Sequence, residues 1–398
     1  MGSLRFSDAE RRNRIGVRHR LAAEHRAGDA AGAAEAMVGL HGTDAASVFV
    51  AALARMRPGA TVADVERALY EDRSLLRLLA MRRTMFVVHR EAAPAVLAAA
   101  SRRVAGQQRK QLLKLLAEGA DLDGDLEAFL AAAEEAAMAA LEELGEATAA
   151  EVAASDPRLA VEIVVGSDTN WESRQKVASR VLPLLSAKGR VIRARPRGGW
   201  TSTQFRWAPM DRWCGGPLPE VDAAEAEAEL ARRWLAAFGP ATAEDLRWWT
   251  GWTVGVTRRA LEAVGAVEVL LEGDVPGVAL PDDLEPVGEP EPWAAALPAL
   301  DPTSMGHKQR GFYLGEHAEL VFDRNGNAGP TLWWCGRIVG GWARRKDGEI
   351  AYKLLEDVGA DAQAVIEAEL EALAGRIGDA TLAPRARGYS PVERELLA

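Results

Sequence analysis

The sequence predicts an α+β protein of three tandem winged-helix units followed by a small antiparallel β-barrel. Three observations predict it. A capped helix start recurs three times, a basic helix-and-hairpin stretch occupies Trp171–Arg212, and four short strands follow a proline-rich segment. The expected units are an N-terminal arm with the first unit over 1–120, a second unit with a basic wing over 121–215, a third over 216–290, and the barrel with a C-terminal helix over 291–398.

The arm is arginine-rich. Arg11, Arg12, Arg14, Arg18 and Arg20 flank Ile15, Val17 and Leu21, which suits a phosphate-contacting arm or a solvated helix. The segment Met37–Asp44 leads into an apolar helix, Ala45–Met56, for which Asp44 is a fair N-cap. His41 and Thr43 sit in the glycine-flanked turn just before it.

The repeat is a glycine followed by T-x-x-[D/E]-[V/L]. Its copies are Thr61–Val65, Thr148–Val152 and Thr242–Leu246. Each spells a capping box: the Thr hydroxyl accepts from the backbone three residues on, and the acid reaches back to the Thr N–H. The first copy leads through Ala68–Leu79 to a strand, Met81–Val88. An Ala-rich helical connection, Ala92–Leu144, follows. The second copy leads to the basic stretch, where Arg174–Ala187 reads as a helix and Val191–Ala194 with Trp200–Trp207 as a hairpin. The third leads through Trp248, Trp249 and Trp252, expected in the core, to a helix near Thr253–Val264 and a hairpin, Val267–Leu280, turning at Gly273-Asp274.

Residues 281–310 contain six prolines and read as a linker or irregular lead-in. Strands are expected at His317–Phe322, Thr331–Cys335, Arg337–Trp342 and Glu349–Leu355, with turns at Asn325-Gly326, Gly336 and Asp347-Gly348. A helix, Asp361–Ile377, and a closing strand at Ala380–Pro384 complete the barrel.

Charge gives the first functional pointer. Trp171–Arg212 holds ten cations against Glu172 and Asp211, a local charge of +8 inside a chain of net charge −10. A one-signed run of this kind suits a polyanion. In a winged helix the helix enters the major groove and the hairpin lies along the backbone. Arg174, Lys176, Arg180, Arg193, Arg195 and Arg197 are the candidate DNA contacts. The composition is that of a soluble globular chain. No apolar run spans a bilayer, the two cysteines have no metal spacing, and the six histidines form no metal motif. A cytoplasmic protein without metal or cofactor is expected.

The assembled parts resemble the winged-helix DNA glycosylases of the AlkZ and YcaQ type. The resemblance covers nearly the whole chain and rests on the three capped units, Leu78–Met85, Phe238–Leu246, Asp301–Gly306 and the meander containing Phe322–Pro330. It implies a channel for duplex DNA, alkylated or crosslinked, a monomer, and hydrolysis of the N-glycosidic bond of alkylated purines. In that family a Gln-x-Gln or Gln-x-Asp motif in the first unit handles the water. Here His41 stands at the first position and Thr43 at the second. A neutral imidazole can take the water's proton, the Thr43 hydroxyl can orient it, and Asp44 can stabilise the cationic sugar or orient His41. The alternative is a non-catalytic winged-helix DNA-binding protein or transcriptional regulator, in which His41 and Thr43 only precede a helix. A sheet-rich interaction scaffold would explain the barrel but not the basic run.

Overall fold

The computed structural model describes residues 4–166, 172–380, 382 and 388–398. The chain opens with strand β1 (Arg5–Phe6) and helix α1 (Asp8–Arg18), capped by the Ser7 side chain. Strand β2 (Leu40–His41) then leads into α2 (Ala45–Leu53), and α3 (Val62–Glu66) continues into a wider turn to Glu71. The hairpin β3 (Leu75–Leu79) and β4 (Met85–His89) follows, with β2 added to β4. The expected path through Ala68–Leu79 is therefore half strand, because Leu75–Leu79 is buried at every position.

Helices α4 (Arg102–Gly119) and α5 (Leu126–Leu144) form the expected helical connection. Strand β5 (Ala147–Thr148) and helix α6 (Ala149–Ser155) begin the second helix-and-sheet unit. A separate two-stranded ribbon, β6 (Glu162–Val165) with β7 (Ser173–Lys176), precedes α7 (Ala178–Ala187). The expected helix from Arg174 is corrected here: Ser173–Lys176 pairs as a strand, and helix begins only at Ala178. Strands β8 (Val191–Pro196) and β9 (Phe205–Pro209) form the hairpin, with β5 added to β9.

The third unit comprises α8 (Ala223–Phe238), α9 (Ala243–Thr250) and α10 (Val254–Ala263), then β10 (Val267–Leu271) and β11 (Val275–Ala279). Its turn falls at Gly273 and Asp274, both at positive φ. Ala241 bridges Val278 of β11, and β1 joins β10 in parallel. In all three units, residues leading into the helices pair with the second hairpin strand.

The T-x-x-[D/E] pattern forms capping boxes at Thr61, Thr148 and Thr242, but the first is out of register. Thr148 and Thr242 cap the first helix after the leading strand. In the first unit Asp44 does this, accepting from the Ser47 backbone at 3.0 Å, while Thr61 caps the next helix.

The C-terminal part is a four-stranded meander, β12 (Ala294–Leu297), β13 (Thr331–Trp334), β14 (Arg337–Arg344) and β15 (Ile350–Leu354), backed by α11 (Ala360–Ile377) and α12 (Pro391–Leu397). It is an open sheet, which corrects the expected barrel: among the described residues β15 does not pair with β12. His317–Phe322 is not a strand either, since Ala318–Val321 is a helical turn. The expected closing strand Ala380–Pro384 lies largely outside the described residues.

The proline-rich 281–310 is no linker. It supplies β12 and, at its centre, the buried Asp301. The Arg55 guanidinium grips Asp301 with two bonds, 2.7 and 2.9 Å, both side chains fully buried. Arg55 also donates to Thr303 Oγ1 at 2.8 Å and Ala51 O at 2.7 Å. The Thr303 hydroxyl meets His19 Nδ1 at 2.9 Å, and His19 Nε2 meets Ala237 O at 3.1 Å. His307 Nε2 donates to Phe238 O at 2.9 Å. Asp245, besides closing its capping box, accepts from Lys308 N and Gln309 N, each at 2.8 Å. The arm belongs to the same frame: Arg14 is buried against Glu10 and Asp283, and Arg11 lies 3.6 Å over the Phe312 ring. Neither a phosphate arm nor a solvated helix describes it.

One core joins the first unit, the third unit and the C-terminal sheet, including Trp234, Trp249 and Trp342. The helices of the second unit share a second core, which also takes in Leu79 and Met85 of the β3–β4 hairpin. Hairpin β8–β9 divides them. Ile192, Ala194 and Ala208 face the joint core, while Val191 and Trp207 face the second. This alternation is the two-residue period of a strand.

Two outcomes follow from the buried frame. Asp301→Ala leaves the Arg55 cation buried without its carboxylate, so unfolding in urea should cost about 3–5 kcal/mol less than for the wild type. Arg55→Met with Asp301→Leu should recover more than half of that loss. The second outcome concerns pH. Burial holds His19 well below, and His307 down to about 4 from, an ordinary imidazole. The folded state thus refuses protons that the unfolded chain takes up near pH 6.5. Stability is full above that pH and falls as pH drops toward 4, by about 1.4 kcal/mol per pH unit for each group. Urea midpoints between pH 6.5 and 5 should decline in the wild type and decline less in His307→Gln; equal slopes would refute the assignment.

Candidate functional site

The turn between β2 and α2 is built from both sides. His41 is paired opposite Phe86 on β4, and its ring meets the Phe86 ring edge-on at 5.4 Å. Gly42 N–H donates to Met85 O at 2.7 Å. Arg77 Nη1 donates to Gly42 O at 3.0 Å. Arg77 is itself 1% exposed and stands in the middle of the apolar strand β3. A guanidinium beneath the turn thus fixes its carbonyl, and the lone arginine in Leu-Leu-Arg-Leu-Leu was the available sequence signal for it.

His41 is buried. Thr43 Oγ1 is buried and has no hydrogen-bond partner among the described residues. Asp44 is half-buried and accepts from Ser47 N at 3.0 Å and Ser47 Oγ at 2.5 Å. Of the three, Asp44 lines open space: a cavity of about 720 Å³ whose wall also carries Ser47, Trp342, Arg344, Arg345 and Lys346. His41 and Thr43 are not on that wall. The cavity lies between the start of α2 and the β14–β15 turn. Arg345 is paired with Glu349 at 2.6 Å, while Lys346 is exposed and has no carboxylate within 4 Å among the described residues.

The basic run does not form a free positive face. Arg174 pairs with Glu162 at 3.4 Å, Arg195 with Glu71 at 3.1 Å, Arg197 with Glu151 at 2.5 Å and Arg206 with Glu146 at 3.1 Å; Lys188 pairs with Glu134. The acids arrive from sequence positions outside the run. Glu151 responds, drawn down to about 2 by the Thr148 backbone and hydroxyl and by Arg197. Arg193 is half-buried beside Phe205 and Trp207, 5.2 and 5.1 Å from their ring centres. Burial, then the charge of Arg77, pushes it down to about 10. Lys176 is exposed and Arg180 half-buried, neither with a carboxylate within 4 Å among the described residues.

No cluster that could hold a metal ion is found among the described residues, and none of their helices is long and apolar enough to cross a membrane.

The family model described as "DNA glycosylase AlkZ-like" matches residues 34–376. The solved structure of Streptomyces sahachiroi DNA glycosylase AlkZ is similar in fold, with a TM-score of 0.67 over 97% of this chain and 98% of that one, at 19% identity. No curated protein matches the chain.

Asp44 separates capping from charge experimentally. Asn caps a helix as well as Asp, whereas Ala does not. Asp44→Ala should lower the unfolding free energy by about 1 kcal/mol and Asp44→Asn should leave it within experimental error, measured by urea denaturation.

Proposed function

The chain belongs to the AlkZ-like DNA glycosylase family, and on that premise we propose that it hydrolyses the N-glycosidic bond of alkylated purines in duplex DNA. The observation that carries the reading is Asp44, a carboxylate on the wall of a cavity within the size range of small-molecule sites, roughly 300–1,000 Å³. An alkylated purine already carries positive charge and leaves without prior protonation. The reaction then needs a negative group beside the developing sugar cation and a base for the attacking water. Asp44 supplies the charge. His41 and Thr43 stand where the family motif has its water-handling pair; here they are set behind Asp44, with Arg77 holding the turn. Neither His41 nor Thr43 lines the cavity wall, so in this reading the turn opens when substrate binds, and His41 then takes the water's proton while the Thr43 hydroxyl orients the water.

In this reading the three helix-and-hairpin units are winged helices, consistent with the leading strand added to the second hairpin strand in each. The contacts to duplex phosphates come from Arg174, Lys176 and Arg180 and from Arg193, Arg195 and Arg197. Arg195 and Arg197 exchange Glu71 and Glu151 for phosphate when DNA binds.

The deciding experiment is single-turnover release of N7-methylguanine from a duplex oligonucleotide. The wild type should release the base. Asp44→Asn should lower the rate by at least roughly 10²-fold, on the scale of a positioned acid–base or charge-stabilising group, and His41→Ala should also lower it. Wild-type release unaffected by Asp44→Asn would move the chemistry elsewhere. Tight duplex binding without release of any alkylated base would leave a DNA-binding protein and overturn the enzymatic reading.

A further inference from the structure

We propose that the tight turn Met81–Thr84, between β3 and β4, forms a phosphodiester-binding site with Arg82 and Arg83 as its ligands and Arg103 at its rim. The site is separate from the basic run, and it rests on the duplex-DNA reading above.

Four observations meet there. First, Arg82 and Arg83 both have positive φ, 52° and 61°, a conformation that non-glycine residues adopt only when the surroundings impose it. The imposition is visible: Ala80 N–H donates to Thr84 O at 2.9 Å, and Arg83 N–H and Thr84 N–H close the turn at 3.1 Å each. Two consecutive strained arginines aim their side chains where an unstrained turn would not.

Second, the cations gather without acids. The Arg82 guanidinium lies 4.0 Å over the Trp248 ring, and that of Arg310 lies 5.0 Å from the same ring. Among the described residues, none of Arg82, Arg83 and Arg310 has a carboxylate within 4 Å. Arg103, at the rim, does meet Glu227 at 3.7 Å; the two arginines of the turn meet no acid among the described residues. Burial, then Arg310, holds Arg82 down to about 10, the response of a cation short of negative company.

Third, there is room. A cavity of about 430 Å³ is lined by Arg82, Arg83, Arg103, Gln107, Thr250 and Gly251. The floor includes Trp252, whose indole N–H is already bound to Ala99 O at 3.0 Å. The side-chain donors that remain for a guest are the Gln107 amide and the guanidinium groups, and the latter match phosphate oxygens in pairs.

Fourth, the position is right. Gly42 N–H pairs with Met85 O, so the turn lies at the end of the sheet toward which the His41–Asp44 segment runs. A phosphate held at Arg82 and Arg83 fixes the backbone at the end of the sheet that carries the candidate chemistry.

The test is duplex binding by fluorescence anisotropy across a salt series, with Tm measured alongside. The variants are Arg82→Gly, Arg83→Gly and Arg103→Gln. Glycine relieves the positive φ, so Tm should hold or rise in Arg83→Gly, whereas Arg82→Gly also gives up its contact with the Trp248 ring; Arg103 is half-exposed on a helix surface, and its replacement leaves the turn intact. Each variant should bind duplexes of any sequence roughly fivefold more weakly, with a salt slope lower by about one. Affinity and slope equal to wild type in all three would overturn the site while leaving the glycosylase reading standing. Failure of the wild type itself to bind duplex would overturn both. Stabilisation by orthophosphate that the variants lose, with duplex binding unchanged, would overturn the phosphodiester assignment in favour of a free anion.

Discussion

The buried Arg55–Asp301 pair is the constraint on which the arrangement depends. Its two ends lie far apart in sequence, one just past α2 and one in the proline-rich lead-in to the sheet. Removing both charges from water is costly. The cost is offset by further partners around the pair: Ala51 O, Thr303 Oγ1, Thr303 N and, through the Thr303 hydroxyl, His19, with the Arg55 Nε–H left without an acceptor among the described residues. The geometry leaves little freedom, so α2, the arm and the C-terminal sheet are held in one register. The Asp44 turn and the β14–β15 turn are the two walls of the cavity. The spacing between them is therefore set several residues away, by a pair that touches neither.

Much of the local structure was legible because it is encoded within a few residues. The capping boxes at Thr148 and Thr242, the helices 254–263 and 360–377, and the hairpin turning at Gly273-Asp274 all rest on short-range physics. The misreadings share a cause. Leu75–Leu79 hid as a strand because Arg77 interrupts its apolar run, and the reason for that arginine lies on another strand, at Gly42 O. Ser173–Lys176 carries helix-compatible residues, yet its backbone completes a ladder with Glu162–Val165. The 281–310 segment looked like a linker because prolines mark irregular chain. Its Asp301 is informative only beside a residue 246 positions earlier. The sheet stayed open for a similar reason: its strands were visible, but the pairing of its edges is not a local property.

The site was half legible. A glycine-flanked turn with an acid at the N-cap identifies His41–Asp44, but not which of its side chains faces open space. Counting charge along the chain identified the basic run and overstated it. Glu71, Glu134, Glu146, Glu151 and Glu162 meet its cations in space. Those acids belong to flanking elements that the window of the count excluded. The reverse error concerned Arg82 and Arg83: they were read only as part of the family-like stretch Leu78–Met85 in an expected strand, yet among the described residues no acid pairs with them.

The hairpin β8–β9 is a wall with apolar side chains on both sides. A wing that lies loosely along a nucleic acid would present one face to solvent; this one cannot. Displacing it would expose two interiors to water at once, so both would have to loosen together. The tip is anchored as well: the Trp200 ring packs against Phe49 of α2, ring centres 5.1 Å apart, so the hairpin moves only together with the interiors on either side.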